Sequence, residues 1–437
     1  MPHRLSARPL GSWTDPDGIF TRIESEAPAV FWLDAGPGAV DGWSYIGLGH
    51  PDSLPTGVRI DRPRGDADLP PFRGGWVGWH DYESGADAAG APTASPDAAA
   101  GPRWIRTTRM VAFDHTARRC WALAAADELD DWTEFLQVAA DAASAPIPDP
   151  PREAIADARH EPAAYATLIE QCRELIRSGI AYQLCLTTRF TVPGAHDPVS
   201  TYRRLRHATP AHHGGFVRIG GRSLLSASPE QFLHVQDGTI RTRPIKGTRP
   251  RAADPLHDAA LAAELRDDAK ERAENVMIVD LMRNDLSRVC EPGSIRVQGL
   301  WVVESYPAVH QLVSTVSGRA AEGTIVGDLL RAAFPAGSMT GAPKLSAMTR
   351  LHALEGGPRG IYAGCFGYIG SDGAVDLAMV IRSIVVERER AYVGAGGGIT
   401  WGSRPDAEVA EVATKARAPL AALGAVLPGR WASDILN

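Results

Sequence analysis

Lysine is scarce in this sequence, and where it survives it stands beside groups that could do chemistry. Only four of the 45 Lys and Arg residues are lysines: Lys246, Lys270, Lys344 and Lys415. If coding bias lets arginine serve wherever a generic cation is wanted, a retained lysine marks a place that needs a compact amine able to lose its proton, which guanidinium effectively cannot. Chance survival explains any single one of them equally well. The segment TIRTRPIKGTRPRAADP poses the question most sharply, because Lys246 sits there among Arg243, Arg249 and Arg251.

Carboxylates recur at helical spacing in two places. Glu271 and Glu274 in DDAKERAENVMIVDLMRNDLSRVC are three residues apart, as are Glu408 and Glu411 in PDAEVAEVATKA, so each pair shares one helix face. Four carboxylates converging from two helices would offer oxygen-only ligands with room for water and substrate, which suits Mg²⁺ better than zinc. Taken singly, each pair is also what a solvated face carries, with Lys270 and Lys415 four residues from Glu274 and Glu411 as ion-pair partners.

The glycine-rich stretches do not fit nucleotide loops. GxGxxG counted from Gly394 fails because Ile399 takes the last glycine position, and in GSMTGAPK only three residues separate Gly337 from Gly341. Both stretches can still bring backbone N–H groups to an anion such as a carboxylate. AGCFG around Cys365 approaches a nucleophile elbow, but its first position is Ala363 and it lies in a strand-like run.

The elements that must position these groups can be read from periodicity. Tyr165, Leu168, Ile169, Cys172, Leu175 and Ile176 recur at helical spacing, with Gly179 to stop the helix. Alternation from Leu184 to Val192 predicts a strand; SLLSAS, QFLHV and TIRTR follow, the last two joined by an Asp237-Gly238 turn. A helix is expected from His257 to about Val289, then strands through SIRVQGLWVVES, QLVSTVSG, GIYAGCFGYIG, VDLAMVIRSIVVE and AYVGAGGGIT, with another turn at Asp372-Gly373, and a closing helix from Asp406 to Leu423. Hairpins with inserted helices, and no βαβ alternation, predict an α+β protein built on large antiparallel sheets packed as a sandwich, helices outside. Stretches 84–101 and 141–160 read as loops or linkers; the second divides a β-rich N-terminal region, residues 1–150, from a second domain at 160–437.

Composition narrows the function. A 437-residue chain with 44% hydrophobic residues can bury one large core or two, and a net charge of -7 gives no reason to expect nucleic acid or an anionic membrane as partner. The N-terminus has no apolar signal core and the apolar stretches are short, so a soluble cytoplasmic protein is expected. Five scattered cysteines without a CxxC pair suggest reduced thiols and no zinc or iron–sulfur site.

In chain order, SASPEQFL, RPIKGTRPR, ENVMIVDLMRNDL, VHQLVSTVSG, GSMTGAPK, RGIYAGCFGY, IRSI and GAGGGITWGSRPDAEVAEVATKA resemble the chorismate-utilising enzymes. The resemblance is dense over residues 160–420 and thinner through PFRGGWVGWHDYE. It implies an anthranilate synthase component I-like fold, with 160–437 as the chorismate-binding catalytic domain. Within the family, PIKGT is similar to the aminodeoxychorismate synthase branch, whereas anthranilate synthases carry PIAGT. Isochorismate and salicylate synthases use a lysine to prepare water; the corresponding position here is Gln183.

The resemblance implies a role for each residue. Lys246 would add to carbon 2 of chorismate as the carbon 4 hydroxyl leaves, and ammonia would then enter at carbon 4 and expel it. A neutral Lys246 requires a pKa well below the usual ~10.4, a differential interaction of about 3 to 4 kcal/mol; burial, Arg243, Arg249 and Mg²⁺ are expected to supply it. Glu230 would be the general acid and His310 a further catalytic residue. Glu274 and Glu411 would bind Mg²⁺ directly, Glu271 and Glu408 through water. Thr248, Ser338, Tyr362, Arg382, Gly396, Gly397, Gly398 and Lys415 would hold the substrate. Departures from the family are Ile180 and Cys185 in GIAYQLCL, and Ala35 in FWLDAG, where related proteins place a serine of a tryptophan site.

No cysteine triad for glutamine hydrolysis and no second catalytic domain after residue 420 is found, so ammonia is expected from a separate glutamine amidotransferase subunit. The alternatives are a sister enzyme that aminates carbon 2, as anthranilate synthase does, and a non-catalytic chorismate- or tryptophan-binding protein.

Overall fold

Two-residue turns and alternating strands generate most of the architecture. At Asp237-Gly238 both residues have positive φ, 52° and 72°, the geometry whose twist matches flanking strands; Gln236 thereby pairs with Thr239. The computed structural model describes residues 4–61, 69–93, 103–140, 146–151, 153–306 and 309–433.

Two arms of sheet grow from the long strand Arg103–Asp114. One runs through Trp43–Asp52, Val30–Asp34, His213–Ile219, Arg222–Ser228, Ser383–Val386 and Arg390–Ile399 to Gln183–Pro193. The other runs through Gly75–His80, Cys365–Gly370, Val375–Met379, Gln231–Gln236, Thr239–Thr242 and Val309–Arg319 to Arg296–Ser305. Each of these pairings is antiparallel. Their inner faces meet in a core that includes Phe31, Tyr45, Trp79, Val217, Phe366 and Val385, so the expected α+β sandwich is present. Strands before residue 150 are hydrogen-bonded between strands after 160, Val30–Asp34 beside His213–Ile219 and Gly75–His80 beside Cys365–Gly370.

The helices lie outside. Pro162–Arg177 and Pro405–Ala422 bury Tyr165, Ile169, Val409 and Val412 against one arm, and Ala269–Leu286 buries Ile278, Val279 and Met282 against the other. The first ends as expected, with Gly179 at φ 73° just past its cap. The helix expected from His257 to Val289 is instead two, Pro255–Asp267 and Ala269–Leu286. Asp268 breaks it: its backbone is extended and its carboxylate accepts from the N–H groups of Lys270 and Glu271 at 2.9 and 3.0 Å, a cap that starts a new helix.

Of the expected loops, 84–101 begins inside the helix Tyr82–Ala88, and 94–102 lies outside the described residues. In 141–160, residues 141–145 and 152 are likewise outside, while Asp157–Ala158 adds to the Gln183–Pro193 strand. Among the described residues no helix is long and apolar enough to cross a membrane.

Candidate active site

The strand Ile245–Pro250 carries Lys246 into a cavity of about 520 Å³. Its ladder with Val309–Arg319 slips between Ile245 and Thr248, and Gly247 in the slip has φ 81°. The bulge turns Lys246 inward. A Cβ at Gly247 would lie 2.8 Å from Leu265 Cδ1 and 3.0 Å from Glu271 Cδ, so any larger residue would have to push those side chains aside.

Glu230 precedes the strand Gln231–Gln236 and accepts a hydrogen bond from Ser338 Oγ at 3.1 Å, the serine being held on the one-turn helix Gly337–Met339. Burial raises the Glu230 carboxyl to about 7, with Ser338 and Lys246 pulling the other way. A large fraction of it therefore keeps its proton up to about pH 7, as a proton donor must.

Gly394 and Gly396 to Gly398 do not wrap a phosphate. They leave room: a Cβ at Gly394 would strike the Tyr362 ring, one at Gly397 would come within 2.9 Å of Glu408 Oε2, and one at Gly398 within 2.6 Å of Gln183 Nε2 and 3.0 Å of Lys246 Nζ. One edge of this stretch pairs with Gln183–Pro193, whereas Ser383–Val386 stops pairing the other edge at Val393. Backbone amides on that edge, with Tyr362 and Arg382, line the cavity and suit a carboxylate. Arg382, at φ 52°, makes no ion pair among the described residues, and burial lowers its pKa.

All four helix carboxylates reach the same cavity. Burial and mutual repulsion raise Glu271 and Glu408. The donor chemistry fits Mg²⁺, but two of the four carboxylates, Glu274 and Glu411, are paired with lysines. Lys246 Nζ lies 3.3 Å and Lys270 Nζ 3.9 Å from Glu274, and Lys415 Nζ lies 2.6 Å from Glu411 and donates to Gly396 O at 2.8 Å. Accordingly, among the described residues no three such groups stand close enough to hold an ion as arranged.

Lys246 departs from expectation in its electrostatics. Burial is the largest influence and lowers its pKa, but the combined attraction of neighbouring groups, Glu274 foremost and Glu411 among them, turns the net direction up. The two arginines expected to depress it are neutralised: Arg243 pairs with Glu304, and Arg249 with Glu264 and Asp268, both at 3.0 Å.

A match to the chorismate binding enzyme family covers residues 53–421. The chain belongs to that family. It is 39% identical over 99% of its length to an aminodeoxychorismate synthase of Streptomyces pristinaespiralis, of which it spans 67%. It is 37% identical over 97% of its length to anthranilate synthase component 1 of Streptomyces coelicolor, spanning 92% of that protein. The crystal structure of anthranilate synthase component I from Streptococcus pneumoniae superposes with a TM-score of 0.72 at 27% identity, covering 95% of this chain and 93% of that one. The fold is therefore of the anthranilate synthase component I type.

Of the residues singled out in this chorismate-binding chain, Glu230, Lys246, Thr248, Ser338, Tyr362, Arg382, Gly396 to Gly398, Lys415 and the four glutamates line one cavity. His310 does not. It is 2% exposed, with Nδ1 2.8 Å from Ser305 Oγ and Nε2 3.0 Å from Asp258. Its neighbour Gln311 faces the cavity instead, since successive strand side chains alternate. Sequence reasoning missed Gln311 and Thr414, polar residues with no spacing signal. Gln183, noted as the position where isochorismate and salicylate synthases carry a lysine, is fully buried, and neither atom of its side-chain amide is hydrogen-bonded among the described residues.

The lysine argument sharpens with the geometry. Lys246, Lys270 and Lys415 line the cavity, and Lys344 is bonded to the buried Asp285 at 2.7 Å. A larger cavity of about 670 Å³ is lined by Ala35, Trp43, His213, Asp376 and others. None of the lysines or paired glutamates reaches it; its Asp34 is held by Arg206 and Tyr202, and its Arg243 by Glu304.

Proposed function

We propose that this chain is an aminodeoxychorismate synthase component I, converting chorismate and ammonia to 4-amino-4-deoxychorismate, the precursor of p-aminobenzoate. The single observation that carries the reading is Lys246, an amine lining the same cavity as Glu230 in a chain that keeps only four lysines. The name of the Streptomyces pristinaespiralis relative supports the same branch.

In this reading neutral Lys246 Nζ forms a bond to carbon 2 of chorismate, both ring double bonds shift by one position, and the carbon 4 hydroxyl departs as water with the proton of Glu230. Ammonia then bonds to carbon 4, both shifts reverse, and the carbon 2 bond to Lys246 breaks. Lys246 must shed a proton before it attacks; Glu274, which holds the ammonium in the resting structure, is the neighbour whose withdrawal frees it. Arg382, Tyr362 and the glycine edge hold the enolpyruvyl carboxylate. Mg²⁺ held by Glu271, Glu274, Glu408 and Glu411 would supply positive charge for the ring carboxylate and the leaving hydroxyl. A cytoplasmic protein fed by a separate glutamine amidotransferase completes the proposal, supported by the component 1 names of its relatives.

The test incubates the purified chain with chorismate, Mg²⁺ and an ammonium salt, without a glutaminase, beside Lys246→Ala. Expected is p-aminobenzoate only after an aminodeoxychorismate lyase is added, with turnover at least about a hundredfold lower in the variant. Anthranilate from the wild-type chain would instead establish the carbon 2 amination of the sister enzyme.

A further inference from the structure

The first two turns of the helix Ala269–Leu286 carry Glu271 and Glu274, yet no apolar side chain of those turns is buried; Glu274 and Asn275 are the buried members there, and the apolar anchors begin at Ile278. Apolar packing therefore fixes the far half of the helix and leaves the functional half to polar contacts. One residue gathers these. Ser314, fully buried on the strand Val309–Arg319, donates its hydroxyl to Asn275 Oδ1 at 2.5 Å and accepts the backbone N–H of Trp301 at 3.1 Å. Its own N–H donates to Pro244 O at 3.2 Å, two residues before Lys246.

The Trp301 side of this junction is costly to build. Trp301 has φ 59°, a region a bulky residue adopts only when its surroundings impose it. The ladder slips on both sides of Gly299 to allow it. The ring it delivers lies 3.7 Å beneath the Arg272 guanidinium, one residue from Glu271.

We propose that Ser314 is a positioning residue of the amination site, a polar pin that holds the first two turns of this helix in register with the Lys246 strand, assisted by the Trp301–Arg272 stack. A buried polar contact of this kind specifies register where apolar packing does not. The pin touches neither substrate nor the reacting atoms, and it acts through Glu274. Its link to catalysis rests on the proposed amination.

The test is amide hydrogen exchange and turnover in Ser314→Ala. Expected is exchange at least about tenfold faster over residues 269–277, with 278–286 protected as in the wild type and the melting temperature changed by only a few degrees. Chorismate turnover should fall by about ten- to a hundredfold, and the same substitution in a Glu274→Gln background should cost less than about threefold more. Unchanged exchange over 269–277, uniform loosening of the whole helix, or a full multiplicative loss in the Glu274→Gln background would each overturn the proposal. Should Ser314→Ala fail to fold, Arg272→Met, which opens no buried hole, must show the same localised exchange at smaller amplitude. A wild-type chain that does not turn over chorismate would defeat the amination reading alone, since the exchange pattern still decides the pin.

Discussion

Glu230 is the residue whose environment makes the sharpest demand on experiment. Its carboxyl, raised to about 7 by burial, keeps its proton below that pH. As general acid it should make kcat/KM for chorismate, measured at constant neutral ammonia, decline above a midpoint near 7, and Glu230→Gln should remove that limb along with most of the activity. A profile flat through this range in the wild type would contradict the role. The same shift has a sign for stability. The folded chain holds this proton where the unfolded chain has released it, so between about pH 4.5 and 7 this group alone makes folding less favourable as pH rises. Lys246 and the glutamate pairs were legible from residue type and spacing. Its actual ion pair was not, because it depends on which carboxylate a bulge aims it toward.

At the scale of elements, the strand Arg390–Ile399 shows how a motif can be recognised and its physical reason still come only from its neighbours. Its glycines suggested anion-binding amides; the structure adds that three of them make space for Tyr362, Glu408, Gln183 and Lys246. Gly398→Ala should therefore displace Gln183 or Lys246 and lower turnover by at least about tenfold, with less than about 2 kcal/mol lost in stability. Near-wild-type turnover would show that the 2.6 and 3.0 Å approaches are not needed for catalysis. The pairing of the Asp237-Gly238 hairpin was readable because the turn is local. The break at Asp268 was not: the segment is polar and aliphatic on both sides of it, and the extended backbone that lets its carboxylate cap Lys270 and Glu271 ends one helix and begins the next.

Across the whole molecule, the strands before residue 150 are built into the same sheet as those that carry the site. Asp34 and Arg206 tie the two stretches at 2.6 Å, with the aspartate side chain 1% and the arginine 15% exposed. Removing one partner of such a pair costs about 3 to 5 kcal/mol, so Arg206→Met should lower the denaturant midpoint accordingly. Tryptophan fluorescence and far-ultraviolet dichroism should report one coincident transition in both proteins; two separated transitions would show that the stretches unfold independently.

The sequence by itself determined the local terms: the turn chemistry, the helical and alternating periods, the scarcity of lysine and the spacing of the glutamates, all set by residues within a few positions of one another. It also carried the family resemblance, through motifs spread from SASPEQFL to ATKA. The tertiary structure decided what depends on distant partners. It brought two long helices and four strands to one cavity, turned His310 toward Ser305 and Asp258 while Gln311 took the cavity side, and set Glu274 against Lys246 so that the sum of attractions outweighs burial. Such outcomes turn on bulges and on the balance of burial against nearby charge, quantities that exist only once segments far apart in the chain have been packed together.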